Sequence, residues 1–184
     1  MSRSRGMWFG CAVAALAAIG VLAGTPRESR AAGMGEQKFK PGDKAPEFAA
    51  RDLAGKEIKL STFAGKSVVL LNFWGLRCGA CLEEMPYLEQ IANSYKGKGL
   101  VVLGVDTDGV DAQTVQDTLR EVNVSVTYPL LVDPDFAVTD VYTNFLVPLT
   151  IVIDKSGVIT YIHTGFEKGT EKAYEDAVKK ALGN

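Results

Sequence analysis

Apolar runs alternate along most of the chain with segments in which apolar residues recur at helical spacing. Residues 67–73 are apolar at nearly every position, which predicts a strand buried on both faces. Residues 100–105 repeat that pattern and predict a second buried strand. Between the two runs, residues 79–95 predict a helix because apolar side chains recur every three or four positions. These side chains are Leu82, Met85, Leu88, Ile91, Ala92 and Tyr95.

The second half of the chain continues this alternation. Apolar residues spaced three and four apart within residues 115–122 predict a second helix, which Asp111 opens. A short strand is predicted at Leu130–Val132, and a short helical turn at residues 136–142.

The last part of the chain predicts a hairpin and a helix. Two strands at residues 149–154 and 158–163 flank Lys155-Ser156-Gly157, a favourable turn sequence. An apolar stripe then predicts a final helix, with Thr170 capping its start and Gly183 just past its end. Strand, helix, strand, helix, hairpin and helix in this order indicate one α/β domain, in which helices cover both faces of a mixed central sheet.

The N-terminus has the pattern of an export signal. Arg3 and Arg5 precede 18 uncharged residues, 7–24, and a polar stretch follows. Cleavage after Ala23 and cleavage after Ala31 both fit the pattern of small residues. The uncharged run also nearly reaches the ~20 residues that span a bilayer, so an uncleaved membrane anchor remains the alternative.

Composition narrows the classes of function. The 184 residues, 47% hydrophobic with a formal net charge of −2, match one ordinary globular domain plus a segment. This charge offers no basic surface for nucleic acid. We divide the chain into a signal peptide or anchor (1–31), a linker rich in Gly, Lys and Pro (32–46) and a domain (47–184). The expected location is periplasmic or otherwise extracytoplasmic, either soluble after cleavage or anchored in the inner membrane.

One of the three cysteines lies far in the sequence from the other two. Cys11 lies in the N-terminal segment, whereas Cys78 and Cys81 form a C-x-x-C pair where the first predicted strand leads into the first helix. The unpaired N–H groups and positive dipole end of a helix start stabilise an anion, and Arg77 adds a positive charge. Cys78 is therefore predicted to be the thiolate that starts exchange, and Cys81, one turn further, to resolve the mixed disulfide.

Other uses of a C-x-x-C pair fit less well. A zinc site needs two further ligands, and the domain offers only His163 besides the two cysteines. A purely structural bridge would close a loop of two residues and remove little chain entropy. We assign no function to His163 or to the pairs Asp106/Asp108 and Asp133/Asp135, which border predicted turns.

The residues around this pair resemble a known family. Residues 71–86, Leu-Asn-Phe-Trp-Gly-Leu-Arg-Cys-Gly-Ala-Cys-Leu-Glu-Glu-Met-Pro, are similar to the active-site stretch of thioredoxin-fold proteins. More narrowly, they resemble the TlpA/ResA-like exported thiol–disulfide oxidoreductases. The likeness runs from residues 40–48 through 60–66 to the C-terminal helix. It implies a thioredoxin fold with an N-terminal hairpin and an inserted strand–helix.

Matched position by position, the resemblance implies that Cys78 is the exposed nucleophile and Cys81 the resolving thiol. It also implies that Pro148 is a cis-proline facing the disulfide and that Val147 offers its backbone to the substrate. Trp74 is expected to pack beside the active site and face the substrate. From the residues alone, Pro148 is also explained as a strand starter, and Trp74 as a core aromatic.

Glu84 is the candidate for proton transfer. It lies three residues past Cys81, hence on the same face of the helix. Asn72 stands where thioredoxin itself has a buried acid, and the resemblance to ResA-like proteins implies that Glu84 replaces it by exchanging protons with Cys81. The alternative is a solvated glutamate like its neighbour Glu83.

Two positions in this stretch bear on the reactivity of the pair, and a third bears on the shape of the helix. Arg77 stands where most relatives have an aromatic residue, and Ala80 where they have proline. Both departures should shift the reduction potential, in a direction that the sequence leaves open. Pro86 within the helix predicts a kink, which is a feature of thioredoxin folds.

The expected function is reduction of disulfides in particular exported proteins, for example cytochrome c apoproteins before haem attachment. A membrane thiol donor is expected to supply the electrons, and no cofactor is expected because nothing in the sequence indicates NADPH or flavin binding. One alternative is a peroxiredoxin-like peroxidase, but Gly75 stands where those enzymes need Thr or Ser. Another is a Sco-like copper chaperone, which uses a C-x-x-x-C spacing and a particular histidine.

Overall fold

One mixed sheet of seven strands organises residues 37–183, the part of the chain described by this computed structural model. The strands are β1 (Ala49–Asp52), β2 (Glu57–Lys59), β3 (Val68–Trp74), β4 (Leu100–Asp106), β5 (Leu130–Val132), β6 (Leu149–Ile153) and β7 (Ile159–Thr164). The helices are α1 (Gly79–Ser94), α2 (Ala112–Glu121), α3 (Thr139–Tyr142) and α4 (Thr170–Leu182), with a 3-10 turn at Leu60–Phe63. The signal peptide or anchor predicted for residues 1–31 lies outside the described residues.

The strand order β2-β1-β5-β4-β3-β6-β7 places β3 near the middle of the sheet. It pairs in parallel with β4 and antiparallel with β6. All seven residues of β3 are buried, which confirms the prediction drawn from its continuous apolar run. Because β3 is covered on both faces, its C-terminal end is a fixed point from which the chain enters α1.

The two faces of the sheet carry separate apolar cores. One core receives Met85 and Leu88 from α1, Val115 from α2 and Tyr174 from α4. The other receives Tyr142 of α3 and the N-terminal hairpin formed by β1 and β2. This arrangement confirms the predicted α/β fold with helices on both faces. The hairpin joins the main sheet through β5, which pairs antiparallel with β1 and parallel with β4.

The start of α4 differs from the prediction, whereas its end agrees with it. Thr170 does not cap α4 as predicted: Gly169 occupies the N-cap position in a left-handed conformation. Thr170 is instead the first helical residue, and its hydroxyl accepts a hydrogen bond from the backbone of Glu167. Gly183 ends the helix with φ 85°, as predicted. Residues 42–45 of the predicted linker are hydrogen-bonded to the hairpin of β6 and β7.

None of the helices in the described part of the chain has both the length and the apolar composition needed to cross a bilayer.

Candidate active site

Four residues connect β3 to α1, and the fourth is Cys78. It is the N-cap of α1, with φ −94° and ψ 99°, and its sulfur accepts a hydrogen bond from the backbone N–H of Cys81 over 3.2 Å. The two cysteines form a disulfide with their Cα atoms 5.2 Å apart. The sulfur of Cys78 therefore lies where helix N–H groups stabilise a thiolate once the bond is reduced.

Burial distinguishes the two sulfurs. Cys78 is half-buried, whereas Cys81 is completely buried on the core-facing side of α1. Arg77 is exposed beside Cys78. Because an incoming thiol or disulfide must reach the sulfur that it attacks, Cys78 is the accessible partner and Cys81 the protected one. Attack by Cys78 and resolution by Cys81 stay a prediction.

Glu84 lies one turn further along α1 and has no exposed surface. Its carboxylate accepts hydrogen bonds from Asn72 Nδ2 over 2.8 Å and from Thr150 Oγ1 over 3.1 Å. Asn72 and Thr150 face each other across β3 and β6, so the central sheet supplies both donors. The alternative of a solvated glutamate is therefore wrong for Glu84, although it holds for the exposed Glu83.

Burial raises the pKa of Glu84, and hydrogen bonds from Tyr174, Asn72 and Thr150 partly offset that rise. Glu84 and Cys81 lie three residues apart on the buried face of the same helix. A buried carboxyl group with a raised pKa can hold a proton at a pH at which an exposed carboxyl group has lost it. The site thus contains an acid–base group within the protein interior.

The residues expected to face the substrate differ in exposure. The peptide bond between Val147 and Pro148 is cis, and Val147 is half-buried against both apolar cores. Pro148 is buried. Trp74 is completely buried, so the expectation that it faces the substrate is wrong. Its indole covers Gly104, where an added Cβ would lie 3.3 Å from Trp74 Nε1, and the ring is therefore part of the core beneath the site.

The turn that follows β4 has a role at the site that its sequence did not indicate. The parallel register places Asp106 beside Trp74, and both the backbone N–H and the hydroxyl of Thr107 donate to the carbonyl of Trp74. Asp108 Oδ2 accepts a hydrogen bond from the backbone N–H of Leu76 over 2.5 Å. Residues 106–108 therefore hold the stretch that leads into Cys78.

Asp106 is the second buried acid in this region, with no exposed surface. Burial, followed by the negative charge of Asp108, raises its pKa to about 7. A sequence signal existed, since two aspartates follow the end of a parallel strand adjacent to the cysteine-bearing strand. Such strand ends share one edge of the sheet. Pairing of the two strands was needed to show that this edge carries the cysteines.

His163 lies on β7 opposite Thr150, and its ring packs against Tyr174 with the centroids 5.9 Å apart. One strand, β6, lies between β7 and the cysteine-bearing strand β3. Within residues 37–183, no group of three His, Cys, Asp or Glu side chains is arranged to hold a metal ion.

The fold and the site define a thiol–disulfide oxidoreductase of the thioredoxin fold, with a half-buried and a fully buried cysteine at the start of a helix. The sequence profile of the AhpC/TSA family matches residues 41–162. The thiol–disulfide oxidoreductase ResA of Bacillus thuringiensis is 33% identical over 145 residues, which cover 79% of this chain and 80% of that protein. ResA of Halalkalibacterium halodurans is 36% identical over 124 residues, covering 67% of this chain and 68% of that protein.

A solved structure from Chlorobium tepidum, named for the thiol:disulfide interchange protein DsbE, superposes with a TM-score of 0.71 at 32% identity. It covers 78% of this chain and 99% of its own. The chain therefore belongs to the AhpC/TSA family and, within it, to the TlpA/ResA-like thiol–disulfide oxidoreductases.

Proposed function

We propose that this protein works outside the cytoplasm as a reductase of disulfides in particular exported proteins, with cytochrome c apoproteins before haem attachment as the expected substrates. The observation that carries the proposal is the asymmetry of the site: the sulfur of Cys78 is accessible, whereas Cys81 is buried on the same helix face as Glu84. This arrangement suits a dithiol that attacks with one sulfur and resolves with the other.

The proposed reaction transfers two electrons from the protein to its substrate. The Cys78 thiolate attacks one sulfur of the substrate disulfide, and a mixed disulfide forms while the other substrate sulfur leaves as a thiolate. Cys81 then loses its proton to Glu84 and attacks Cys78, which releases the second substrate sulfur. The substrate ends as a dithiol and the protein as the Cys78–Cys81 disulfide. A membrane thiol donor then reduces this disulfide.

Export rests on the N-terminal pattern. Two arginines precede the 18 uncharged residues 7–24, and this order is typical of a signal peptide or a membrane anchor. An anchor would hold the domain at the outer surface of the inner membrane, close to a membrane donor. Cleavage would release it as a soluble protein.

Trapping of partners tests the proposal. In full-length Cys81→Ala, the resolving thiol is missing, so substrates should accumulate as mixed disulfides on Cys78. Non-reducing gels and mass spectrometry of the trapped species should identify exported proteins that contain cysteine pairs. Cys78→Ala is the matched control and should trap nothing. Trapping by the control but not by Cys81→Ala would contradict the assignment of the nucleophile.

The two alternatives predict other results. A Sco-like copper chaperone would bind copper stoichiometrically in its reduced form, and His163→Ala would abolish that binding. A peroxiredoxin-like peroxidase would consume peroxide with Cys78 as the attacking thiol. Either result, in the absence of trapped exported partners, would replace the reductase proposal.

A further inference from the structure

Two phenylalanines next to the active site have an unusual backbone conformation. Phe136 has φ 56° and Phe145 has φ 59°, values in the left-handed region that bulky side chains rarely adopt. Each such residue is strained relative to an ordinary backbone conformation. Strain of this kind persists where the surrounding structure enforces it, and it concentrates at functional sites.

The two rings contact each other across two loops. Their centroids are 5.9 Å apart with an interplanar angle of 64°. The ring of Phe136 also covers Gly109, where an added Cβ would lie 2.9 Å from Cε2 of that ring. Gly109 belongs to the same turn as Asp108, which holds the loop before Cys78. The pair therefore connects the turn after β4 to the loop before β6.

The strain does not serve to bury Phe145. Its side chain is 56% exposed, and the neighbouring Leu146 is 39% exposed. A large apolar side chain usually stabilises a fold by burying its surface. Phe145 contributes little of this stabilisation because most of its surface is exposed. The backbone at this position instead presents an aromatic ring to solvent, supported from beneath by Phe136. We call Phe136, Phe145 and Leu146 the aromatic platform.

The aromatic platform lies at the edge of the sheet that carries the reactive disulfide. Leu149 pairs with Phe73 across β6 and β3, so the residues just before Leu149 lie beside the end of β3, where the chain turns towards Cys78. Leu146 directly precedes the half-buried Val147. An extended substrate segment whose sulfur is bonded to Cys78 would run along this same edge and meet the platform with a neighbouring side chain.

We infer that Phe145 determines specificity by receiving an apolar side chain next to the reactive cysteine of an extended substrate segment. This inference rests on the proposed function, because it requires a protein substrate, and it adds the chemistry of the segment that the protein prefers. The contact is between apolar surfaces, so its strength depends on the size and polarity of the substrate residue and not on its charge.

The experiment compares two disulfide-bonded peptides that differ only in the residue beside the reactive cysteine, Leu in one and Ser in the other. Wild-type protein should prefer the Leu peptide, and Phe145→Gly should lower the ratio of the two kcat/KM values by roughly tenfold. Phe145→Leu should recover part of the preference, since it restores an apolar side chain. Glycine also suits the left-handed conformation, so the Tm of Phe145→Gly should not fall.

Asn123→Gly is the matched control. Asn123 is another non-glycine residue at positive φ, 55°, but it follows α2. This variant relieves the same backbone strain and should leave the ratio unchanged. An unchanged ratio in Phe145→Gly, or a lower Tm with both peptides affected equally, would overturn the inference.

Two further outcomes are distinguishable. If wild-type protein reduces a small disulfide such as oxidised glutathione but neither peptide, the proposed function fails and not the specificity alone. If Phe145→Gly loses binding to lipid vesicles while the peptide ratio is unchanged, the aromatic platform contacts a membrane and the inference is wrong.

Discussion

Glu83 and Glu84 are adjacent in the sequence, yet one is exposed and the other has no exposed surface. Only the buried one is held by donors from the central sheet, Asn72 on β3 and Thr150 on β6. The chemistry of a carboxyl group in this site is therefore set by its position around the helix. The two glutamates also provide a matched pair for an experiment.

Glu84→Gln should slow disulfide exchange by roughly 10- to 100-fold, because the resolving thiol loses its proton acceptor. The fold should remain, since the glutamine oxygen can still accept from Asn72 while its amide nitrogen donates to the hydroxyl oxygen of Thr150. Single-turnover rates measured from pH 5 to pH 9 check this, with Glu83→Gln as the control. Equal rates for Glu84→Gln and the unmodified protein across that range would exclude a role in proton transfer.

Asp106 leads to a prediction about stability. Its pKa in the fold is about 7, above the ordinary value of ~3.9 for an unfolded chain. Between these two values the folded protein binds more protons than the unfolded chain. The free energy of unfolding therefore falls as pH rises from about 4 to about 7, and the loss is complete above the pKa in the fold.

Asp106→Asn should remove this loss because the side chain no longer ionises. The stability difference between the variant and the unmodified protein should therefore be about 4 kcal/mol more favourable to the variant at pH 8 than at pH 4, or roughly 8–16 °C in Tm. Thermal unfolding at a series of pH values measures this, with the exposed Asp135→Asn as the control. A parallel pH dependence in both variants would show that Asp106 is not the responsible group.

At the scale of elements, the short turn after β4 supports the start of α1. Thr107 donates twice to the carbonyl of Trp74, and Asp108 accepts from the N–H of Leu76. The N–H of Cys78 in turn donates to the carbonyl of Gly75. These contacts fix the loop before the nucleophile by its backbone, so the residue types within the loop do not reveal them.

Asp108→Ala should release this loop. Hydrogen bonds to charged groups contribute roughly 1.5–3 kcal/mol, so the amide hydrogen of Leu76 should exchange at least about tenfold faster in this variant. Asp108→Asn keeps an acceptor and should retain most of the protection. Hydrogen exchange followed by NMR distinguishes the two variants. Equal protection of the Leu76 amide in Asp108→Ala and wild type would mean that the turn does not hold the loop.

Pro86 shows that α1 tolerates a proline in its interior. It lies inside α1, and the helix continues to Ser94. Proline lacks the N–H that would bond to the carbonyl of Leu82. The side chain of Pro86 is exposed, while Met85 and Leu88 on either side remain in the core. Apolar periodicity thus predicted the bounds of this helix well despite the proline. The kink remains a prediction.

At the scale of the whole molecule, strand pairing brings together three segments that are far apart in the sequence. Parallel pairing sets Trp74 beside Asp106, and antiparallel pairing sets Phe73 beside Leu149. The cysteine loop, the turn after β4 and the loop before β6 consequently share one edge of the sheet. The site is thus a product of strand order, with β3 between β4 and β6.

The sequence by itself determined the order and type of the elements from β3 onward and the identity of the cysteine pair. Apolar periodicity is a local signal, and β3, α1, β4 and the final hairpin lie within one or two residues of their predicted bounds. The spacing of Cys78 and Cys81 at a helix start is local as well. The resemblance to TlpA/ResA-like proteins then supplied the roles of residues whose neighbours are distant.

Only the tertiary structure decided the surroundings of that pair. It buried Trp74 beneath the site, brought Asn72 and Thr150 to Glu84, and placed Asp106 beside the cysteine-bearing strand. It also set the exposed Phe145 beside the reactive edge. Each of these facts depends on contacts between residues far apart in the chain. Burial and strand register create those contacts, and no local pattern records them.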